Sequence, residues 1–457
     1  MTLADALSGR AGSQGVLWLL REPPERRVLR HALGALLEPG RSLGPCRLRR
    51  AKFKPGRKLT AYYDVFVRAR DGESTRRPIA ATWPAAAEKA DGLPDSQEMQ
   101  AEARRARLVT PFAKLQSVTH PSGLRILVYP LDSGYPQLVR VSDPRHVHSM
   151  LAEAGRLGRG VPEYRVSVVR YRPGQRHVLR YDPISRGDGA DRKSLFAKLY
   201  QNAEAGRAFR LATAIADWLR ASGSPVQAVA PLRHVAADDL VLYTQAPGRP
   251  LSAAIARREP GLARLLFHTG EALRVLQGAA VALGGELPGH RFGTEIQTIA
   301  RTSQHIQALL PAIGGRLRDV LDRATALYER LPQENAAFAH GDYKADHLLA
   351  HGDRLTLIDF DTCAMADPAL DVGKFLADLR FWFAVSGRRG VEHAQRAFLD
   401  GYGPLPDHRM QRARLYEALV LTKITAHRLP LFSPAWAPDT ARLVGVAHAL
   451  LERITSP

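Results

Sequence analysis

The sequence predicts an α+β protein in which two copies of one β-rich unit precede a helical region. Three observations predict it. A hairpin motif recurs, the same order of strand, helix and strand follows each copy, and beyond residue 250 apolar residues recur mainly at helical spacing. In the hairpin, Lys52-Phe-Lys-Pro-Gly-Arg-Lys-Leu-Thr-Ala-Tyr-Tyr-Asp64 aligns with Arg170-Tyr-Arg-Pro-Gly-Gln-Arg-His-Val-Leu-Arg-Tyr-Asp182. Each copy reads as strand, Pro-Gly turn, strand. A third strand follows, Ile79 to Trp83 in the first copy and Leu195 to Tyr200 in the second. In these strands Thr82 and Lys198 occupy comparable places, 27 and 25 residues after Pro55 and Pro173.

Helical patterns over 96–108 and 203–221 come next, then the apolar strands Arg125 to Tyr129 and Asp239 to Tyr243. A β-β-β-α-β-β unit therefore fills 1–150 and again 151–250. Helical spacing continues over 262–281, 297–330, 369–384, 407–428 and 437–453, and Gly314-Gly315 reads as a break. Between the second and third of these blocks lies a short strand-rich segment, 336–362.

Composition bounds the function. The chain has 457 residues, which suggests about three domains. A 45% hydrophobic share excludes a wholly disordered chain. No apolar run reaches about 18 residues, so no membrane span or membrane partner is expected. Met1 to Gly12 lacks the cationic-then-apolar pattern of a secretory signal. Two distant cysteines, Cys46 and Cys363, exclude a disulfide framework and a cysteine-rich zinc site. A soluble, cytoplasmic protein is expected. The net charge of +20 divides as +11 over 1–150, +7 over 151–250 and +2 over 251–457. The cations are mostly Arg and scattered, and no nucleic-acid-binding motif accompanies them, so a solvated surface outweighs a nucleic-acid face.

The densest chemistry lies in the strand-rich segment. Asp342 follows His340-Gly341, and the apolar run Leu355-Thr-Leu-Ile358 ends in Asp359, seventeen positions after Asp342. Two carboxylates brought together at a loop and a strand end can divide labour. One orients a hydroxyl and takes its proton, and the other holds a divalent cation through oxygen.

This segment resembles the aminoglycoside-phosphotransferase and choline-kinase-like kinases, relatives of the protein kinases. The family pattern is His-Gly-Asp, four residues, Asn, a strand ending Ile-Asp-Phe/Trp, then Asp-Pro-x-x-Asp. Here it reads His340-Gly-Asp342, His347 at the Asn position, Ile358-Asp-Phe360 and Asp367-Pro-Ala-Leu-Asp371. The resemblance implies a protein-kinase-like bilobal fold. Residues 151–250 would be the β-rich, nucleotide-binding N-lobe and 251–457 the helical C-lobe with the catalytic and metal-binding segment. Residues 1–150 would be a non-catalytic, N-lobe-like cap, since Thr82 replaces the lysine.

It also implies a kinase that transfers the γ-phosphate of ATP or GTP to a hydroxyl of a small molecule: a sugar, an amino sugar or an aminoglycoside-like metabolite. Asp342 would be the catalytic base and Asp359 the magnesium ligand. Lys198 would meet the α/β-phosphates, with Glu204 as the nearby acid able to pair with it. The turn Pro173-Gly-Gln-Arg176 would cover the phosphates, and Tyr243 to Gln245 would receive the base. His347 in place of Asn exchanges a hard oxygen for an imidazole, which weakens magnesium relative to manganese. The same exchange raises an alternative, a nucleotide-binding pseudokinase-like module without phosphotransfer.

Overall fold

The computed structural model describes residues 1–85, 96–119, 122–153, 162–184, 193–281 and 287–455. The architecture is α+β, and contacts divide the chain into two compact units. The first comprises Met1–Phe209, Pro231–Gln245 and Pro430–Ser433, the second Arg210–Ala230, Ala246–Leu429 and Pro434–Pro457.

The first unit opens with α1 (Leu3–Ser8), α2 (Gly12–Arg21) and α3 (Pro23–Gly34). The sequence pattern assigns no helix here. Gly9 and Pro23 mark helix ends. Gly9 closes α1 in the left-handed conformation, φ +86°, and Pro23 begins α3, where a missing N–H costs nothing.

Next come β1 (Ser42–Lys54), β2 (Lys58–Arg68), β3 (Ser74–Pro84), α4 (Gln97–Arg105), β4 (Gln116–Thr119) and β5 (Leu124–Val128). The short α5 (Gln137–Arg140) and α6 (Pro144–Glu153) lead to the second copy. It comprises β6 (Tyr164–Arg170), β7 (Val178–Pro183), β8 (Leu195–Leu199), α7 (Glu204–Ala221), β9 (Val226–Ala228), β10 (Pro231–Val235) and β11 (Leu240–Thr244), of which α7 from Arg210 onward and β9 belong to the second unit.

The two sheets share one topology. Their orders are β1-β2-β3-β5-β4 and β6-β7-β8-β11-β10. The register agrees as well. Thr60 faces Thr82 across β2–β3, and its aligned counterpart Val178 faces Lys198 across β7–β8. Both hairpin turns need a left-handed residue, and Gly56 (φ +70°) and Gly174 (φ +73°) supply it.

The segment after β5 packs on the second sheet. Tyr129, Tyr135, Leu138, Val141, Val147 and Leu151 share one buried cluster with Tyr164, Leu179, Tyr181, Leu195, Ala197 and Leu199. Fully burying a Leu or Val is worth about 2 kcal/mol, so the cluster binds both copies into one body. Polar ties follow the same route. Tyr171 donates to Leu131 O at 2.6 Å, Tyr181 to Val141 O at 3.0 Å, and Arg140 pairs with Asp238 at 2.6 Å.

The second unit continues with β12 (Arg249–Pro250), α8 (Leu251–Arg257), α9 (Leu262–Gln277), α10 (Phe292–Thr302), α11 (Gln304–Leu309) and α12 (Pro311–Arg330). The strand-rich segment gives β13 (Ala337–Ala339), β14 (Leu348–His351), β15 (Arg354–Leu357) and β16 (Ala364–Ala366). Four helices complete it: α13 (Ala369–Val385), α14 (Val391–Tyr402), α15 (Asp407–Arg428) and α16 (Trp436–Thr455). Gly314-Gly315 is not a break, as its sequence suggests, but lies inside α12. A Cβ on Gly314 would sit 2.7 Å from Gln307 Cα, so the missing side chain lets α12 approach α11. No helix among the described residues is long and apolar enough to cross a membrane.

Candidate active site

Two small ladders position the chemistry. β13 pairs with β16, β14 with β15 in a hairpin, and β15 runs parallel to β9. Asp342 follows β13, His347 ends the 3-10 turn Ala345–His347 before β14, and Asp359 follows β15. Asp342, His347 and Asp359 thereby converge, each offering a ligand atom within 4.8 Å of the others. Asp359 adopts φ +70°, a sparsely populated conformation for a residue with a Cβ, which turns the chain sharply at the strand end.

The protonation states suit a cation. Burial pushes the His347 imidazole down to about 4, so the ring is neutral at neutral pH. A neutral ring has one N–H. Its Nδ1 lies 3.1 Å from the Asp342 carbonyl oxygen and its Nε2 3.3 Å from Asp359 Oδ2, and both oxygens are acceptors. One ring nitrogen therefore turns a lone pair toward an oxygen, an arrangement that a cation between them relieves. Burial raises the Asp342 carboxyl, but the neighbouring bases His347, Lys344 and Lys374 outweigh it and hold the group below its usual range. Asp342 is thus ionised and able to accept a proton. Lys344 Nζ lies 2.5 Å from its Oδ2.

Buried side chains brace this loop. Asp371, fully buried at the start of α13, accepts the His340 N–H at 2.5 Å and the Gly341 N–H at 3.1 Å. His340 is a strut, its ring 3.2 Å from Ile358 O and its Nδ1 accepting the Asp342 N–H at 3.3 Å. Gly341 (φ +74°) lies so close to Thr362 O that no Cβ fits. Asp378 accepts the Ala345 N–H at 2.7 Å and pairs with Arg428 at 2.8 Å. Lys374 donates to Gly341 O. Asp367 pairs with buried Arg412 and accepts the Ala369 N–H at 3.0 Å, at the head of α13.

In the first unit, Lys198 and Arg176 both stand over the Tyr200 ring, 5.9 and 5.0 Å from its centroid. Glu204 lies 3.6 Å from Arg176. The Pro173–Arg176 turn is tied down by buried Asp132, which accepts the Gly174 N–H at 2.8 Å and meets His177 Nε2 at 2.7 Å. Tyr243 lies in β11 opposite Phe196. The Gln245 N–H donates to Ser194 O at 3.0 Å.

A model of the phosphotransferase enzyme family matches residues 184–419, just over half of the chain. The chain belongs to this family. It is a small-molecule phosphotransferase with the protein-kinase-like fold, and a sheet with the strand order of β6-β7-β8-β11-β10 precedes the matched residues. Solved structures similar to it include a choline/ethanolamine kinase family protein from Mesorhizobium loti, 18% identical, covering 67% of this chain and 94% of that one at a TM-score of 0.43. A spectinomycin phosphotransferase in complex with ADP and spectinomycin is 12% identical, with coverages of 65% and 91% and a TM-score of 0.43. An aminoglycoside 2'-phosphotransferase mutant in complex with GDP is 14% identical, with coverages of 67% and 97% and a TM-score of 0.45. No curated protein matches by sequence.

Sequence reasoning on this phosphotransferase missed Lys374, Asp378, Lys423 and Arg428. One signal was present. Lys374 and Asp378 sit four apart in α13, a helix otherwise buried almost all round. Charges inside such a run are expensive unless paired, so they mark a braced site.

Proposed function

We propose that this phosphotransferase moves the γ-phosphate of ATP or GTP to a hydroxyl of a small molecule, with Asp342 as the base. The convergence of Asp342, His347 and Asp359 carries the reading. Asp342 orients the acceptor hydroxyl. As the acceptor oxygen bonds the γ-phosphorus, the bond to the β-bridging oxygen breaks, the hydroxyl proton passes to Asp342, and nucleoside diphosphate leaves. Asp359 and His347 would hold a divalent cation, magnesium or manganese, which neutralises phosphate charge when bound. Lys198 is assigned to the α/β-phosphates and the Arg176 turn to covering them, with Glu204 positioning Arg176. Tyr243 and Gln245 are assigned to the base. The bonded Gln245 N–H leaves that residue's carbonyl and side chain for the contact. A reaction fed by nucleotide fits a cytoplasmic location.

The second reading, a pseudokinase, rests on His347 at the Asn position. The convergence of Asp342 with His347 and Asp359 weighs against it, because a carboxylate beside a cation site can take the acceptor proton. Release of nucleoside diphosphate by the full chain, with magnesium and with manganese over an acceptor panel, separates the two. Asp342→Asn is expected to lower turnover about 10²- to 10⁴-fold with nucleotide affinity kept. Nucleotide binding without release from any acceptor supports the pseudokinase.

A further inference from the structure

Beside Asp342 lies a cavity of about 320 Å³, built within the second unit. Its charged lining is one-sided. Lys344, Lys374, Lys423, His427 and Arg428 face it against the single acid Asp342. Three of these bases come from one face of α15, where positions 420, 423, 424, 427 and 428 follow helical spacing and Val420 and Ile424 add an apolar floor. The acids that hold the bases lie behind them. Lys423 pairs at 2.8 Å with Glu295, which is 2% exposed, and Arg428 at 2.8 Å with Asp378, which is fully buried. Arg428 also reaches Asp346 at 3.2 Å, and Asp346 is held by Ser252. None of these three carboxylates lines the cavity. An ammonium has three donors, and Lys423 spends one on Glu295.

We propose that this cavity takes the acceptor and selects a hydroxylated small molecule bearing a carboxylate or phosphate group, not an amine-rich one. The inference rests on the phosphotransferase reading and on Asp342 as the base. The acceptor places its hydroxyl at Asp342 and its anionic group against Lys423 and Arg428, its carbon chain lying over Val420 and Ile424. Fixed cations held from behind by buried acids bind an anion without first rearranging, and they repel protonated amines. A carboxylate and a phosphate share this chemistry, being planar or tetrahedral oxygen clusters for Lys and Arg donors.

A series on one carbon skeleton tests it: glucose, glucosamine, gluconate and glucose 6-phosphate, titrated calorimetrically into the full chain saturated with a non-hydrolysable ATP analogue. Gluconate or glucose 6-phosphate should bind at least about tenfold tighter than glucose, and glucosamine weakest. The stronger of the two anions identifies carboxylate or phosphate as the preferred group. Lys423→Gln should remove the preference, bringing the anions to the affinity of glucose, while Lys423→Arg should retain it. Both variants should hold the nucleotide analogue as the parent does, which reports intact folding. Glucose or glucosamine binding as tightly as both anions overturns the proposal, and so does a charge preference that survives Lys423→Gln. The parent reading fails differently, by nucleotide binding with no release of nucleoside diphosphate from any acceptor.

Discussion

Thr82 and Lys198 occupy the same register position in two sheets of identical strand order, Thr82 opposite Thr60 and Lys198 opposite Val178. The first sheet has exchanged a cation for a hydroxyl that lies 3.1 Å from Thr60 Oγ1. Function is therefore expected at one copy only. Lys198→Met should lower kcat/KM for nucleotide by about 10²-fold or more without changing the melting temperature. Thr82→Val should leave turnover intact and cost about 1 kcal/mol, the worth of one hydrogen bond. Steady-state kinetics and chemical denaturation on the two variants check both halves.

The proposed place of His347 in the cation site predicts a metal preference. An imidazole suits manganese better than magnesium, whereas an amide oxygen suits magnesium. His347→Asn should raise magnesium-supported turnover relative to manganese-supported turnover. The ratio of rates in the two metals, measured on parent and variant, decides it. An unchanged ratio removes His347 from the metal site.

Asp132 anchors the turn proposed to cover the phosphates through Gly174 and His177. Asp132→Ala orphans a backbone N–H and a buried ring, which costs about 3 kcal/mol. It should also raise KM for nucleotide more than it lowers kcat, because it loosens a binding turn and spares the base. Asp132→Asn keeps an acceptor for Gly174 and should recover part of the KM.

His305 gives a pH signature away from the site. The ring is buried, its Nδ1–H donates to Thr302 O at 3.0 Å, and its Nε2 has no partner among the described residues. Burial lowers it to about 4 from 6.5. The unfolded chain therefore binds the extra proton first as pH falls. Stability is full above about pH 6.5 and is lost progressively as pH falls toward 4, by about 3 kcal/mol from this group. His305→Phe should flatten that part of the profile in denaturant titrations at pH 7, 5.5 and 4.

Much of this was legible in the sequence because it was local. Pro55 and Pro173 open turns that fix hairpin register, so counting 27 and 25 residues onward from them put Thr82 and Lys198 at equivalent places in the two sheets. Asp342 and Asp359 were legible through a loop and a strand end, and His347 through its place at the Asn position of the family pattern. What escaped was non-local. Lys423 and Arg428 look like solvated charges on α15 until Glu295 and Asp378, over 100 and 40 residues earlier in the chain, are seen behind them. Asp132 looks like a loop residue until the segment after β5 folds over the second sheet. The helices α1 to α3 were missed because the repeat pattern that ordered 1–150 begins at the hairpin, after them.

The duplicated strand order creates a hazard during synthesis, since the hairpin of one copy offers a template to the third strand of the other. The lengths discourage the exchange. β1, β2 and β3 have 13, 11 and 11 residues, whereas β6, β7 and β8 have 7, 6 and 5. A crossed pairing of β2 with β8 would strand roughly half of the longer edge without partners, each idle amide losing its bond. Unequal strands thus act as a proofreading device, letting two sheets of one design emerge from a single chain in succession without trading parts.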